Sequence, residues 1–167
     1  MTSLDTDIAL VRRQTLGDLL HRSAARHPDR VAITDGRVTR TYEDLDGDAN
    51  RLAHALIERG VEVGDRVAVL SRNSVAYVQT IFAVSRCGAV LVPINFMLNG
   101  AEVGYLLQHS GSTALIVQDE LMAAAEAGIE ATGTVMPVRV VVGDRAHVGW
   151  EPLDALLAHP DVNIDLR

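Results

Sequence analysis

Lysine is missing altogether: the fifteen basic residues are all arginine. There is also no G-x-x-x-x-G-K-[ST] run and no G-x-G-x-x-G run, which excludes the usual phosphate-loop and dinucleotide fingerprints. Aromatic residues make up only 4%, too few for a base-stacking surface, and a net charge of -7 argues against nonspecific contact with nucleic acid or anionic lipid. A single cysteine, Cys87, excludes an intramolecular disulfide and fits a reducing compartment. No apolar run reaches the roughly 18 residues of a transmembrane span, because Gln79 and Arg86 interrupt the longest candidate. The start, MTSLDTDIALVRRQ, lacks the basic-then-apolar order of a signal peptide, so the cytoplasm is the expected location. The six histidines fall in no metal-ligand spacing, and without a G-x-S-x-G elbow a serine hydrolase has no support.

What is present is the alternation of a layered α/β chain. With 167 residues and 48% hydrophobic content, it can bury the core of a single domain. Thr15 to His27 reads as a capped helix with Leu16, Leu19 and Leu20 as its apolar stripe. Val31–Thr34 and Arg37–Thr41 flank Asp35-Gly36, a strong hairpin signal. Thr41 caps a helix from Tyr42 to Arg59 with Leu45, Ala49, Leu52 and Leu56 on one face and Asp44, Asp48, Arg51 and Glu58 largely elsewhere. Glu43, Asp44, Asp46 and Asp48 read as an acidic first turn complementing the helix dipole.

The stretch from Gly64 to Asn95 organises the rest. Arg66 to Leu70 is a buried strand, Asn73 or Ser74 caps a helix buried nearly all round, and Gly88 ends it. Ala89 to Val92 is the next strand, with Pro93 stopping ladder donation at its end. Further on, Asn99 with Glu102 caps a helix running to Gly111, and Thr113–Val117 is a third buried strand. Leu121–Ala127 is a short helix, Val138–Val142 a fourth strand, Trp150–Ala158 a last helix, and residues 159–167 a tail. The predicted fold is α/β: a layered, mostly parallel sheet flanked by helices, with an N-terminal β-hairpin.

Three segments carry a resemblance. RTYEDLDGDANRLAHAL (Arg40 to Leu56) is similar to the "(L/F)TYxEL" signature and following helix of the adenylate-forming enzymes. SRCGAVLVPIN (Ser85 to Asn95) resembles their "KxGAxxxPxN", and PINFMLNGAEVGYLLQHSGSTALI (Pro93 to Ile116) resembles "PxNxRLxxxELxYxLxDSxxxxLI". The ordered set spans residues 14 to 120, with Thr41, Tyr42, Leu45, Gly88, Pro93 and Asn95 as motif positions. Two departures stand out: Met97 occupies the family's usual Arg position, and His109 its usual Asp.

This resemblance implies the N-terminal subdomain of an acyl-CoA synthetase, most like the fatty-acyl-CoA ligases. The reaction it implies joins a fatty acid to CoA through an acyl-adenylate, using ATP, Mg²⁺ and CoA. The family's phosphate-loop and C-terminal lysines have no counterpart here, so phosphate chemistry is expected in downstream domains of the same enzyme. No catalytic role is assigned within the chain, and none of those cofactors is expected to bind it tightly alone. The loop Asn95, Phe96, Met97 and Leu98 follows a strand's C-terminal end, where open α/β sheets bind ligands. Its simpler reading is that the apolar trio plugs the core; its functional reading is that it lies on the acyl or pantetheine route. A different class of function, a standalone binding module pairing as a homodimer through exposed apolar surface, is the alternative.

Overall fold

A computed structural model describes residues 15–36 and 38–160. Helix α1 (Leu16–Arg26) begins at a capping box in which Thr15 accepts from the Asp18 N–H and Asp18 reaches back to Thr15. Its inward face is Gly17, Leu20 and Ala24, whereas Leu16 and Leu19 are more than half exposed. The expected leucine stripe is therefore corrected: the 3.6-residue period runs through two small residues that admit a close neighbour.

The hairpin pairs β1 (Val31–Thr34) with β2 (Thr39–Thr41) antiparallel. The second strand starts at Thr39, later than Arg37, which lies outside the described residues. Asp35 closes a wider loop, its backbone N–H donating to the Val38 carbonyl and its Oδ1 accepting from the Val38 N–H. Helix α2 (Tyr42–Glu58) starts at a second capping box, Thr41 with Asp44, and ends before Gly60 at φ 92°.

From Arg66 onward the chain builds a five-stranded parallel sheet from β3 (Arg66–Leu70), β4 (Val90–Ile94), β5 (Ala114–Gln118), β6 (Val138–Val142) and β7 (Glu151–Pro152). The crossovers are α3 (Val75–Arg86), α4 (Gly100–Ser110) and α5 (Met122–Thr132), the last entered through a 3₁₀ turn at Asp119–Leu121. Helix α6 (Leu153–Leu156) follows β7. Three expectations are revised here. Pro93 lies inside β4, tolerated because β4 is an edge strand and need not donate outward. Helix α5 runs to Thr132, well past Ala127, until Gly133 turns left-handed at φ 62°. The segment from Trp150 to Ala158 divides into β7 and the short α6. Of the expected tail, residues 161–167 lie outside the described residues.

Alternate residues of the strands point to opposite faces. Val67, Val69, Ile116 and Val140 pack against α2, α3 and α6, while Ala68, Leu70, Leu115, Val117 and Val141 pack against α4 and α5. Helices α4 and α5 cross at glycines: a Cβ on Gly104 would come within 2.6 Å of the Gly128 carbonyl oxygen. A third cluster, Leu20, Leu45 and Ala49, joins α1 and α2 to the hairpin and α3.

Helix α3 has no exposed residue along its length, as its composition predicts. The two polar residues that interrupt its apolar run are themselves buried. Arg86 donates to the Asp46 carbonyl (2.7 Å), the Asp46 carboxylate, Asn50 Oδ1 and the Gly17 carbonyl. Gln79 Nε2 donates to Asp48 Oδ2 (2.6 Å), which also takes Arg40 Nε, while Arg51 binds Oδ1. Of the expected acidic first turn, Glu43 and Asp44 hold that place, whereas Asp46 and Asp48 are buried in the seam with α3. Their desolvated charges are matched by arginines and hydrogen bonds along the α2–α3 seam.

Candidate functional site

Counted in chain order, the sheet strands run 2-1-3-4-5, so the winding direction reverses between β3 and β5. At such a reversal the crossovers leave on opposite faces and open a crevice beyond the strands' carboxyl ends. The chain places Ser71 and Arg72 there after β3, Asn95–Leu98 after β4, Gln118 at the end of β5 with Asp119 and Glu120 beyond it, and Gly143–His147 after β6.

Gln118 ties the reversal together. Its Oε1 accepts from the Arg72 backbone N–H at 2.9 Å and from the Ser71 hydroxyl at 3.4 Å. Arg72, so fixed, lays its guanidinium 4.4 Å from the Phe96 ring centroid, with Glu120 at 3.8 Å from its Nε. Asn95 Oδ1 accepts from the Met97 N–H at 3.0 Å, and the Asn95 carbonyl from Leu98 N–H, which turns the loop outward. Met97 is 78% exposed, Phe96 is also on the surface, and only Leu98 packs against the core. The expectation that the trio plugs the core fails for Phe96 and Met97, because the Asn95 turn aims them away from β4.

A second cluster borders the rim. Asp119 binds Arg145 through Nε at 2.8 Å and faces His147 Nε2 at 3.3 Å. The hydrogen bond from Arg145 holds the Asp119 carboxyl below the usual range. Gly143 at φ 144° lets β6 turn past this carboxylate, since a Cβ there would stand 2.5 Å from the Asp119 Cβ. Among the described residues, no group of three or more His, Cys, Asp or Glu side chains could hold a metal ion, and no helix is long and apolar enough to cross a membrane.

The motif residues divide by place. Pro93 and Asn95 lead into the rim; Thr41, Tyr42 and Leu45 form the hairpin–α2 junction; and Gly88, at φ 65°, precedes β4 at the other end of the sheet. Cys87 is sealed in the core, where burial pushes its thiol up to about 12. Sequence reasoning missed Arg72 and Gln118. Their signal was slight: a polar residue at or just past the end of each of two apolar strands.

A parallel sheet with this reversal, helices on both faces and ligand-accessible loops at its carboxyl edge defines a doubly wound α/β protein. Within that class the chain belongs to the AMP-binding enzyme family, whose profile matches residues 20–162. It is 37% identical over 155 residues to a feruloyl-CoA synthase of Amycolatopsis, covering 91% of this chain and 30% of that enzyme. It is 40% identical over 107 residues to the fatty acid–[acyl-carrier-protein] ligase ScoC of Streptomyces coeruleorubidus, covering 64% of this chain and 21% of that one. Among solved structures, the inhibitor-bound N-terminal domain of FACL13 from Mycobacterium tuberculosis superposes with a TM-score of 0.76 at 28% identity, over 92% of this chain and 38% of that domain. The chain therefore spans less than a third of the length of these two curated relatives.

Proposed function

We propose that the chain is the N-terminal subdomain of an ATP-dependent acyl-CoA synthetase acting on a fatty acid, and that it builds one wall of the active site. The observation that carries this reading is the Asn95–Leu98 loop, which presents Phe96 and Met97 to solvent at the sheet's carboxyl edge beside the Arg72 guanidinium. An exposed apolar pair next to a cation suits a ligand with an acyl or pantetheine chain at one end and an anionic group at the other.

In the reaction proposed, a fatty-acid carboxylate attacks the α-phosphate of Mg-ATP, releasing pyrophosphate and forming an acyl-adenylate; the CoA thiol then displaces AMP. Positive groups and Mg²⁺ offset the charge that develops on the phosphates. The 167 residues contain no lysine, so in this reading the phosphate-loop and C-terminal lysines come from downstream domains, which are the chain's partners. Its own share is to hold the rim: Gln118 fixes Arg72, and the Asn95 turn fixes Phe96 and Met97.

Calorimetric titration with Mg-ATP and a non-hydrolysable fatty-acyl-adenylate analogue tests this. The 167-residue chain is compared with the same chain continued by the downstream domains of the feruloyl-CoA synthase relative. The expected result is saturable binding by the continued polypeptide and none by the short chain. Tight Mg-ATP binding by the short chain alone overturns the wall assignment.

A further inference from the structure

The hairpin, the start of α3 and the carboxyl ends of β5 and β6 enclose a cleft of about 360 Å³, separate from the Phe96–Met97 loop. Gln79 lines it and is 3% exposed. Its Nε2 is committed to the Asp48 carboxylate, which can only accept, so the amide orientation is fixed and Oε1 turns the other way. No described group donates to that Oε1. Nor is it sealed, since among the described residues the one sealed side-chain polar atom without a partner is Thr113 Oγ1. Gln79 thus offers the cleft an acceptor from a side chain that is otherwise buried.

Gln118, on the same cleft, is the complement. Its Oε1 is taken by Arg72 and Ser71, and its Nε2 has no acceptor among the described residues. Ala76, Val142 and Leu157 supply apolar wall. The charged residues at the opening are Asp35, Asp144, Asp154 and Arg40, and Arg40 Nε is spent on Asp48. Asp35 is occupied by the Val38 and Val75 N–H groups, so the repulsion of an anion comes from the exposed Asp144 and Asp154.

We propose that this cleft binds a small uncharged molecule by a carboxamide or lactam edge, its N–H donating to Gln79 Oε1 and its C=O accepting from Gln118 Nε2. A volume near the lower end of the usual 300–1,000 Å³ range suits one planar ring bearing that group. The cleft meets the rim at Gln118, whose Oε1 serves Arg72 while its Nε2 serves the cleft, and the exposed Asp144 and Asp154 disfavour the phosphates and carboxylates of the ligase reaction there.

Titration of the isotopically labelled chain with nicotinamide, nicotinate and methyl nicotinate, followed by amide and side-chain NMR, tests this directly. Nicotinamide carries both the donor and the acceptor, nicotinate is its anionic counterpart, and methyl nicotinate lacks the donor. The expected result is saturable movement of the Gln118 and Gln79 side-chain NH₂ signals with nicotinamide, and weaker binding by at least about tenfold for the other two. Ala76→Phe, which fills the cleft while leaving both glutamines in the sequence, should abolish it; Ala76→Leu is the gentler filler should the first variant misfold. Equal shifts from nicotinate, unchanged nicotinamide affinity in a folded filled variant, or no saturable shift at tens of millimolar overturns the proposal.

Discussion

Arg86 is the one buried arginine among the described residues. It is 6% exposed, yet its guanidinium serves Asp46, Asn50 and Gly17 at once. Arg86→Met leaves the Asp46 carboxylate with His21 Nδ1, at 3.1 Å, in place of its arginine and should cost about 3–5 kcal/mol in urea unfolding. Adding Asp46→Asn removes the charge that has lost its arginine, so the double variant should be more stable than the Arg86→Met single. The surface carboxylates follow a different rule. Asp44 is lowered chiefly by the Thr41 backbone hydrogen bond, and Glu151 by the hydrogen bond from Arg59. Depressed carboxyls stabilise fully above their unfolded values near about 4, and that stabilisation is lost as pH falls through the folded values. The urea midpoint should therefore hold from neutrality to about pH 5 and drop in more acid solution. Thr41→Ala should cost about 1 kcal/mol of stability at pH 7 and move the Asp44 titration upward, measurable by carboxyl NMR.

Helices α4 and α5 supply the clearest test at the level of elements. Alanine is the better helix former, by about 1 kcal/mol. Gly104→Ala should nevertheless destabilise, by about 1–3 kcal/mol, because its Cβ meets the Gly128 carbonyl rather than a movable side chain. Thermal unfolding of this variant beside Gly133→Ala separates crowding from backbone strain, since Gly133 has open space around it but φ 62°. Much at this level was legible in the sequence: the strands at Arg66–Leu70 and Val138–Val142 were expected with these bounds, and the caps at Thr15, Thr41 and Asn99 were each found in place. The misses share a cause. Leu16 and Leu19 are hydrophobic yet outward, and Asp46 and Asp48 are charged yet inward, because which face of α1 and α2 is covered depends on partners 25 to 69 residues away. The rim was half legible. Strand ends located the Asn95–Leu98 loop, but only the register of β3 on β5 brings Gln118 to Arg72, and no local pattern encodes that register.

The whole molecule is held together by two kinds of joint, apolar layers about the sheet and the polar α2–α3 seam that fastens α1 and α2 to it. Cys87 reports on the first. Sealed beside Ala53, 2% exposed and with its thiol pushed to about 12, it should resist alkylation in the folded chain at pH 8. Labelling should appear only with global unfolding, and rapid labelling under native conditions would show that the α2–α3 layer opens locally. The seam sets a different constraint, on inheritance. A leucine in the sheet can be exchanged for another apolar residue of similar bulk without consulting its neighbours. Position 86 cannot, because its partners sit at 17, 46 and 50. In a library of random variants sorted for folded protein, changes at 46 and 86 should survive together far more often than singly, so that these distant stretches of the chain are handed down as one unit.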